Sequence, residues 1–136
     1  MSSGYSGTLL AKKLGINEGA KIILYNTPEH YLALFSDFPA NTEELFDIKS
    51  ETADFIHIFC TTIDELGATV EKYKPTLKKS GMMWISWPKG SSAIANNLNR
   101  DFIREYMLEN GLVDVKVAAI DEDWSGLKFV YRLKDR

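Results

Sequence analysis

The chain has a single cysteine, Cys60, among its 136 residues. One cysteine excludes an internal disulfide and leaves none of the cysteine spacings that are typical of metal sites. The longest apolar stretches, residues 53–60 and 82–87, are far too short to span a bilayer. Basic residues are not in excess, since 16 lysines and arginines face 19 aspartates and glutamates, for a formal net charge of −3. We therefore expect a protein that binds neither nucleic acid nor membranes.

The first residues also lack the features of a targeting signal. Residues 1–7 have neither the basic start nor the apolar run of a secretory leader, which favours a cytoplasmic protein. Residues 1–8 are rich in serine and glycine and predict an N-terminal arm, followed by one domain over residues 9–136. At 45% apolar and 26% charged residues, the composition is that of an ordinary globular domain.

Short apolar runs alternate with segments of helical periodicity along the chain. This alternation predicts an α/β domain, a single three-layer Rossmann-like unit with a mainly parallel sheet and right-handed crossovers. The last two strands alternate polar and apolar residues and predict an antiparallel hairpin, whose loop contains Ser125 and Gly126. The predicted strands cover residues 20–26, 45–48, 53–60, 82–87, 112–120 and 127–133, and the predicted helices begin near Leu9, Thr27, Thr62 and Asn99.

The predicted helix after Thr62 has a clear start and a clear stripe. Thr62 and Glu65 have the spacing of a capping box. Pro75 is expected to kink or end this helix. Its apolar stripe consists of Leu66, Val70, Tyr73 and Leu77.

Three segments resemble a family of small bacterial proteins of unknown function. They are SGYSGTLLAKKLGI at residues 3–16, SWPKGSS at residues 86–92, and the C-terminal residues 111–136. This resemblance covers nearly the whole chain. It implies a bacterial source and carries no activity with it.

A more distant resemblance is to the class I methyltransferase fold. LGINEGAKIILYN at residues 14–26 resembles the entry to the first strand of that fold, and LKKSGMMWIS at residues 77–86 resembles its passage into the fifth strand. The C-terminal hairpin resembles its last two strands. The Gly-x-Gly of the cofactor loop is replaced here by Asn26-Thr27-Pro28. Residues 35–54 are also too few for the usual two strand–helix units, so no ribose-binding acidic residue can be assigned.

The first turn, after the strand at residues 20–26, is predicted to be a self-capped helix start. Thr27 is placed to cap the helix with its own hydroxyl, and Pro28 has no N–H to offer a ligand. Glu29 would stabilise the first helical turn and repel an incoming anion. This turn is therefore a poor site for phosphate. We expect no cofactor, with S-adenosylmethionine as the alternative.

Ligands of open α/β sheets bind beyond the carboxyl ends of the parallel strands, so candidate residues are sought there. His30 could act as a general base, although it is also an ordinary first-turn residue. The loop after residue 87 could form an anion-binding nest, although a solvated surface turn is the alternative. The candidate ligand-binding residues are Asn26, Glu29, His30, Thr61, Thr62, Trp87, Lys89, Ser91 and Ser92.

Other polar and reactive residues receive a structural interpretation. His57 lies inside an apolar strand and is predicted to be a hydrogen-bonded core histidine, and Cys60 a small buried residue. The acidic residues 121–123 could collect a divalent cation, but such a run usually only solvates a loop. We assign no catalytic residue and no metal ligand. Tyr5 and Trp124 are candidates for an interaction with a partner.

Three hypotheses of function follow from these patterns. The leading one is a non-catalytic binding or interaction module on a methyltransferase-like fold. The alternative is a minimal S-adenosylmethionine-dependent methyltransferase or other small-molecule transferase with an atypical site. A third is self-association through the N-terminal arm and Trp124.

Overall fold

The computed structural model describes residues 9–136, and the predicted arm at residues 1–8 lies outside the described part. Six strands form one sheet in the order β2-β1-β3-β4-β6-β5. Short 3-10 turns occur at Leu32–Leu34, Lys74–Thr76 and Leu133–Asp135. The helices and strands are α1 Leu10–Leu14, β1 Lys21–Tyr25, β2 Glu43–Glu44, β3 Ala53–Phe59, α2 Ile63–Tyr73, β4 Leu77–Pro88, α3 Arg100–Glu109, β5 Leu112–Ala119 and β6 Trp124–Tyr131.

The sheet is mainly parallel, as predicted. β1 pairs in parallel with both β2 and β3, and β3 pairs in parallel with β4. β6 is antiparallel to both β4 and β5, so the C-terminal hairpin inserts one antiparallel strand between two others. β3 is buried along most of its length, as expected for a strand that is covered on both faces.

The two faces of the sheet carry separate apolar clusters. On one face, α2 and α3 pack through Leu66, Val70 and Ile103 against strand residues such as Ile58. We call this the helical face. On the other face, Leu14 of α1 packs with Phe59, Trp84 and Trp124. We call this the loop face, because irregular chain supplies most of its cover.

The helix ends follow the predicted signals. The Thr62 hydroxyl accepts the backbone N–H of Glu65 at the start of α2, and the Asn99 side chain accepts that of Phe102 at the start of α3. Gly15 ends α1 in the left-handed conformation, with φ 89°. Pro75 ends the regular part of α2, as expected.

The helix predicted after Thr27 is wrong. Residues 27–38 contain only the 3-10 turn Leu32–Leu34, and the Tyr31 N–H closes a turn onto the Pro28 carbonyl. The physical reason is tertiary, because Tyr31 is drawn into the core, where its hydroxyl bonds to His57. Thr27 therefore caps no helix, and Glu29 has no helical turn to stabilise.

Two boundaries of strands also differ from the predictions. The edge strand is β2 at Glu43–Glu44, ahead of the predicted residues 45–48, although the Leu45 N–H still bonds to Ile22 of β1. Leu77 belongs to β4 and not to the stripe of α2, because it pairs with Ala53 of β3 and is fully buried.

The hairpin loop also lies earlier than predicted. Ser125 and Gly126 are in β6, and the turn is formed by residues 120–123. Gly126 is needed inside the strand, since a Cβ there would lie 3.0 Å from the Trp84 ring.

Candidate functional site

Four loops meet at the carboxyl edge of the sheet, as predicted. The His30 Nε2 lies 2.8 Å from the Asp121 Oδ2, which joins the first turn to the β5–β6 loop. The backbone N–H of Lys89 donates to the Asp123 carbonyl at 2.8 Å, and the N–H of Asn97 donates to the Thr61 carbonyl at 3.0 Å. The candidate residues therefore do share one region, and their loops bond to one another there.

The first turn is unusual at Asn26. This residue has φ 54°, a left-handed conformation that glycine adopts without strain and that asparagine tolerates. Its side-chain amide donates to the Phe59 carbonyl at 3.3 Å, across to the end of β3. Asn26 thus takes up a backbone shape that is typical of a glycine loop, while its side chain closes the turn against the neighbouring strand.

A buried hydrogen-bonded chain lies beneath the first turn. The Tyr31 hydroxyl lies 2.9 Å from His57 Nδ1, and His57 Nε2 lies 2.7 Å from the Ser86 hydroxyl. Burial lowers the pKa of His57 to about 3 and raises that of Tyr31, so the histidine is neutral at pH 7. The prediction of a hydrogen-bonded core histidine is confirmed. The Tyr31 ring occupies the space beneath the first turn.

The start of α2 is also occupied by the chain itself. Besides the Thr62 cap, the Glu65 Oε1 accepts the Thr61 N–H at 2.9 Å, and the Asn97 Oδ1 accepts the Ile63 N–H at 2.9 Å. The second Glu65 oxygen accepts the Tyr25 hydroxyl at 3.0 Å. Backbone N–H groups that a helix start can offer to an anion are therefore satisfied by protein oxygens.

The loop after β4, for which an anion-binding nest and a surface turn were the alternatives, is bonded to the acidic loop. The Ser92 hydroxyl donates to Asp123 Oδ1 at 2.8 Å and accepts the Ile94 N–H at 3.1 Å. An anion would have to approach this loop beside a carboxylate. Trp87 is only 7% exposed and belongs to the core of the helical face. Lys89 is partly exposed and Ser91 is exposed, whereas the Ser92 hydroxyl already has two hydrogen-bond partners.

The acidic loop at residues 121–123 is organised by Asp121. Its Oδ1 accepts the N–H groups of Asp123 and Trp124, at 2.8 and 2.9 Å. Its other oxygen faces His30, so both oxygens have protein partners. Within residues 9–136, no group of three or more histidine, cysteine, aspartate or glutamate side chains is arranged to hold a metal ion.

Trp124 and Cys60 are both internal. Trp124 is 7% exposed and packs edge-on against the Phe59 ring, with centroids 5.0 Å apart, so it has little surface left for a partner. The other candidate for an interaction, Tyr5, lies outside the described residues. Cys60 is fully buried, and burial raises the pKa of its thiol to about 12. It is a small core residue, as predicted.

Four residues that form the hydrogen bonds described above were not among the predicted ligand-binding residues. They are Tyr31, Glu65, Ser86 and Asn97. A signal existed for one contact. His57 and Ser86 are isolated polar residues in two apolar runs, and a polar residue inside a covered strand needs a partner. Pairing these two strands in parallel would have brought them together. Asn97 lies in an irregular loop and carries no comparable signal.

Two cavities of the described residues lie away from this edge, near the amino ends of the strands. A cavity of about 270 Å³ includes Gly19, Asp54 and Ser80 in its lining. A larger one of about 500 Å³ lies beside β2. It is lined by Lys21, Glu43, Glu44, Leu45, Phe46, Asp47, Lys49 and Thr52.

Comparison with known proteins identifies the fold. No protein-family model matches the chain, and no curated protein matches its sequence. A solved S-adenosylmethionine-dependent methyltransferase from Aquifex aeolicus matches at TM-score 0.62 and 16% identity, covering 88% of this chain and 86% of that one. A TehB-like S-adenosylmethionine-dependent methyltransferase from Corynebacterium glutamicum matches at TM-score 0.58 and 12% identity, covering 90% and 86%.

A third similar structure is part of an assembly. A chain of the complex between the Haloferax volcanii Trm112 methyltransferase activator and a methyltransferase matches at TM-score 0.60 and 12% identity, covering 88% and 85%. Likeness at these identities shows the fold and nothing further. The chain therefore has the methyltransferase-like Rossmann fold, and the resemblance to a small bacterial family stays a prediction. No helix among residues 9–136 is long and apolar enough to cross a membrane.

Proposed function

We propose that this chain is a non-catalytic binding module on a methyltransferase-like fold, which acts through contacts with protein. One observation carries the proposal: the polar groups at the carboxyl edge bond to one another. His30 pairs with Asp121, Ser92 with Asp123, and Asn97 with the start of α2. A small-molecule site keeps a few polar groups free to contact its ligand, and here several of those groups are used within the chain.

The first turn supports the same conclusion. A nucleotide-type anion is held by free N–H groups at a helix start, where the helix dipole adds a favourable field. In this chain only the 3-10 turn Leu32–Leu34 lies between β1 and β2, and Pro28 has no N–H. Tyr31 occupies the space beneath the turn and is 2% exposed. S-adenosylmethionine thus lacks its usual backbone donors at this turn.

The interaction role rests on surface features of the described residues. Phe46 is 82% exposed beside the larger cavity, and Val115 on β5 is 54% exposed. The similar chain from Haloferax volcanii was solved in a complex with a protein activator, so a protein of this fold can serve as a binding partner.

A second function, S-adenosylmethionine-dependent methyl transfer, is favoured by one specific observation. Asn26 holds the left-handed backbone that a glycine loop would supply, and the similar solved structures include S-adenosylmethionine-dependent enzymes. An atypical site would then be lined by Asn26, His30, Thr61, Thr62, Trp87 and Lys89.

Titration with S-adenosylmethionine and S-adenosylhomocysteine separates the two functions. A ligand at about one hundred times its Kd adds about 2.7 kcal/mol to the free energy of unfolding. For a domain of this size the melting temperature would rise by roughly 5–15 °C. We expect no rise at millimolar ligand and no heat of binding by calorimetry.

If the cofactor binds, variants show whether it uses the candidate site. Lys89→Ala should then weaken binding while Lys72→Ala, in the last turn of α2, should not. Binding that shows this contrast would overturn the non-catalytic proposal and give the lead to the transferase.

A further inference from the structure

The two edges of the sheet carry opposite charge. β2 and β5 are the outermost strands, at opposite ends of the strand order. We call the surface around β2 the acidic edge and the surface around β5 the basic edge. The acidic edge comprises Glu43, Glu44, Phe46, Asp47, Ile48 and Glu51, all exposed, and the basic edge comprises Lys13, Val115, Lys116, Val117 and Lys128.

The acidic edge combines carboxylates with an exposed aromatic side chain. Three of its acidic residues, Glu43, Glu44 and Asp47, line the 500 Å³ cavity together with Lys21 and Lys49. Phe46, which also lines this cavity, is 82% exposed, and Ile48 is 48% exposed. The N–H groups of residues 43 and 45 bond to β1. Because backbone groups of successive residues in a strand point in opposite directions, the peptide groups of Glu44 point away from β1 and are not paired within the sheet.

The basic edge brings three lysines together, from the end of α1 and from β5 and β6. Lys116 and Lys128 are direct partners across β5 and β6, an arrangement in which like charges repel. The Lys116 ammonium donates to the Lys13 carbonyl at 2.8 Å, at the end of α1. Burial and the nearby Lys116 lower the pKa of Lys128. The ion pairs formed within residues 9–136 are His30–Asp121, Lys78–Asp54 and Arg104–Asp114, and neither Lys116 nor Lys128 takes part in them.

We propose that the basic edge of one copy of this chain binds the acidic edge of a second copy, head to tail. Charge complementarity selects this arrangement, because pairing two acidic edges or two basic edges would place like charges together. Val115 and Val117 supply apolar surface opposite Phe46 and Ile48. A lysine and a β-bulge both disfavour pairing of an edge strand with other strands, and β5 has both, at Lys116 and at Val115. The lysine charge is compensated only by an acidic partner, so such a partner is favoured. A heterologous contact of this kind repeats from copy to copy.

This inference names a partner for the interaction role and in that respect rests on the proposed function. The association is measured without any cofactor, whereas the non-catalytic proposal is tested by titration with S-adenosylmethionine. A negative result in one experiment therefore does not decide the other. Self-association through Trp124 is replaced by this pair of edges, because Trp124 is buried.

Sedimentation velocity of the full chain, from micromolar to millimolar concentration, tests the proposal. At about 0.01 M salt, where the Debye length is about 30 Å, the average mass should rise well above 15.4 kDa with concentration. At about 1 M salt, where the Debye length is about 3 Å, the association should weaken at least about tenfold. A chain that stays monomeric at millimolar concentration and low salt overturns the proposal.

Two single variants test the polarity of the contact. Phe46→Ser damages only the acidic edge and Lys116→Glu damages only the basic edge, so each alone should be monomeric. Mixed in equal amounts they should form dimers that grow no further, because each supplies the edge that the other lacks. Lys72→Glu makes the same charge change on α2 and should associate like the wild type. Association that both variants retain, or that the mixture fails to restore, contradicts the head-to-tail arrangement; circular dichroism checks that the variants are folded.

Discussion

The two faces of the sheet are covered in different ways. The helical face is covered by two capped amphipathic helices, α2 and α3, and its cluster is built almost entirely from aliphatic and aromatic side chains. The loop face is covered by the five-residue α1, a 3-10 turn and irregular chain. Its interior contains His57, bonded to Tyr31 and Ser86, and the Trp84 indole, which donates to the Leu14 carbonyl at 2.8 Å.

This difference shows how irregular chain is held in a definite place. A helix satisfies its own backbone groups, so apolar contacts are sufficient to position it. A loop over a core needs side-chain hydrogen bonds at specific points, and Asp37 gives an example by accepting the N–H groups of Ala11 and Lys12 with its two oxygens. The edge that holds a ligand in related folds is here formed from chain that is organised in this way.

Neighbouring residues on β3 give the largest test of this comparison. Phe59 faces the loop side and packs against the rings of Tyr31, His57 and Trp124, whereas Ile58 faces the helical side. Phe59→Ala should lower the free energy of unfolding by about 3–5 kcal/mol and Ile58→Ala by about 2–5 kcal/mol, with Phe59 the more costly of the two. Urea unfolding measures both. A larger loss for Ile58→Ala would show that the loop face is the weaker half of the core.

The buried histidine predicts a pH dependence that the helical face cannot produce. The pKa of His57 is about 3 in the folded chain and about 6.5 when unfolded, so the unfolded state holds one more proton between these values. The free energy of unfolding should therefore fall by about 1.4 kcal/mol per pH unit as the pH drops below about 6, or about 2.7 kcal/mol over two units.

Urea unfolding between about pH 7 and about pH 4 measures this slope. His57→Gln should reduce it, and His30→Gln, at an exposed position, serves as the control. The same slope in the His57 variant would assign the dependence to other groups.

Removing one hydroxyl tests the hydrogen-bonded chain directly. Tyr31→Phe keeps the ring but leaves His57 Nδ1 without its partner, and should cost about 1–3 kcal/mol. Tyr25→Phe removes a comparable bond to Glu65 at a partly exposed site, and should cost about 1 kcal/mol or less. Equal losses in the two variants would argue that burial gives the Tyr31–His57 contact no special weight.

Helix caps provide the smallest contrast. Asn99→Ala removes the cap of α3 on the helical face and should cost about 1 kcal/mol. Thr27→Ala should change the free energy of unfolding by no more than about 0.5 kcal/mol, because no helix begins at Thr27. Thermal and urea unfolding together resolve the two values. A loss for Thr27→Ala as large as that for Asn99→Ala would restore the helix that the sequence pattern predicts after the first turn.

Much of the fold was predictable because its signals are local. The buried strand at Ala53–Phe59, residues 82–87 of β4, the Thr62 and Asn99 caps and the terminal hairpin all follow from short patterns. The first turn was mispredicted for a matching reason. Thr27, Pro28 and Glu29 form a good helix start in isolation, but the placement of Tyr31 against His57, 26 residues away, outweighs it.

The candidate residues were expected at the carboxyl edge, where the structure places their loops, but the contacts among those loops were not foreseen. The strand directions place both the first turn and the β5–β6 loop at the carboxyl edge of the sheet. The pairing of His30 with Asp121 joins residues 91 positions apart, and the pairing of Asn97 with Ile63 joins residues 34 apart. Such contacts depend on side-chain placement after packing, which no short pattern of residues encodes.

The sequence by itself determined the class of fold, the order of its elements and the ends of its two long helices, because periodicity and capping act within a few residues. The tertiary structure alone decided that the first turn has no α-helix, that polar groups of different loops bond to one another at the carboxyl edge, and that opposite charges lie at the two outer strands. The physical reason is that hydrogen bonds and charge patterns between distant segments acquire their geometry only when the sheet has brought those segments together.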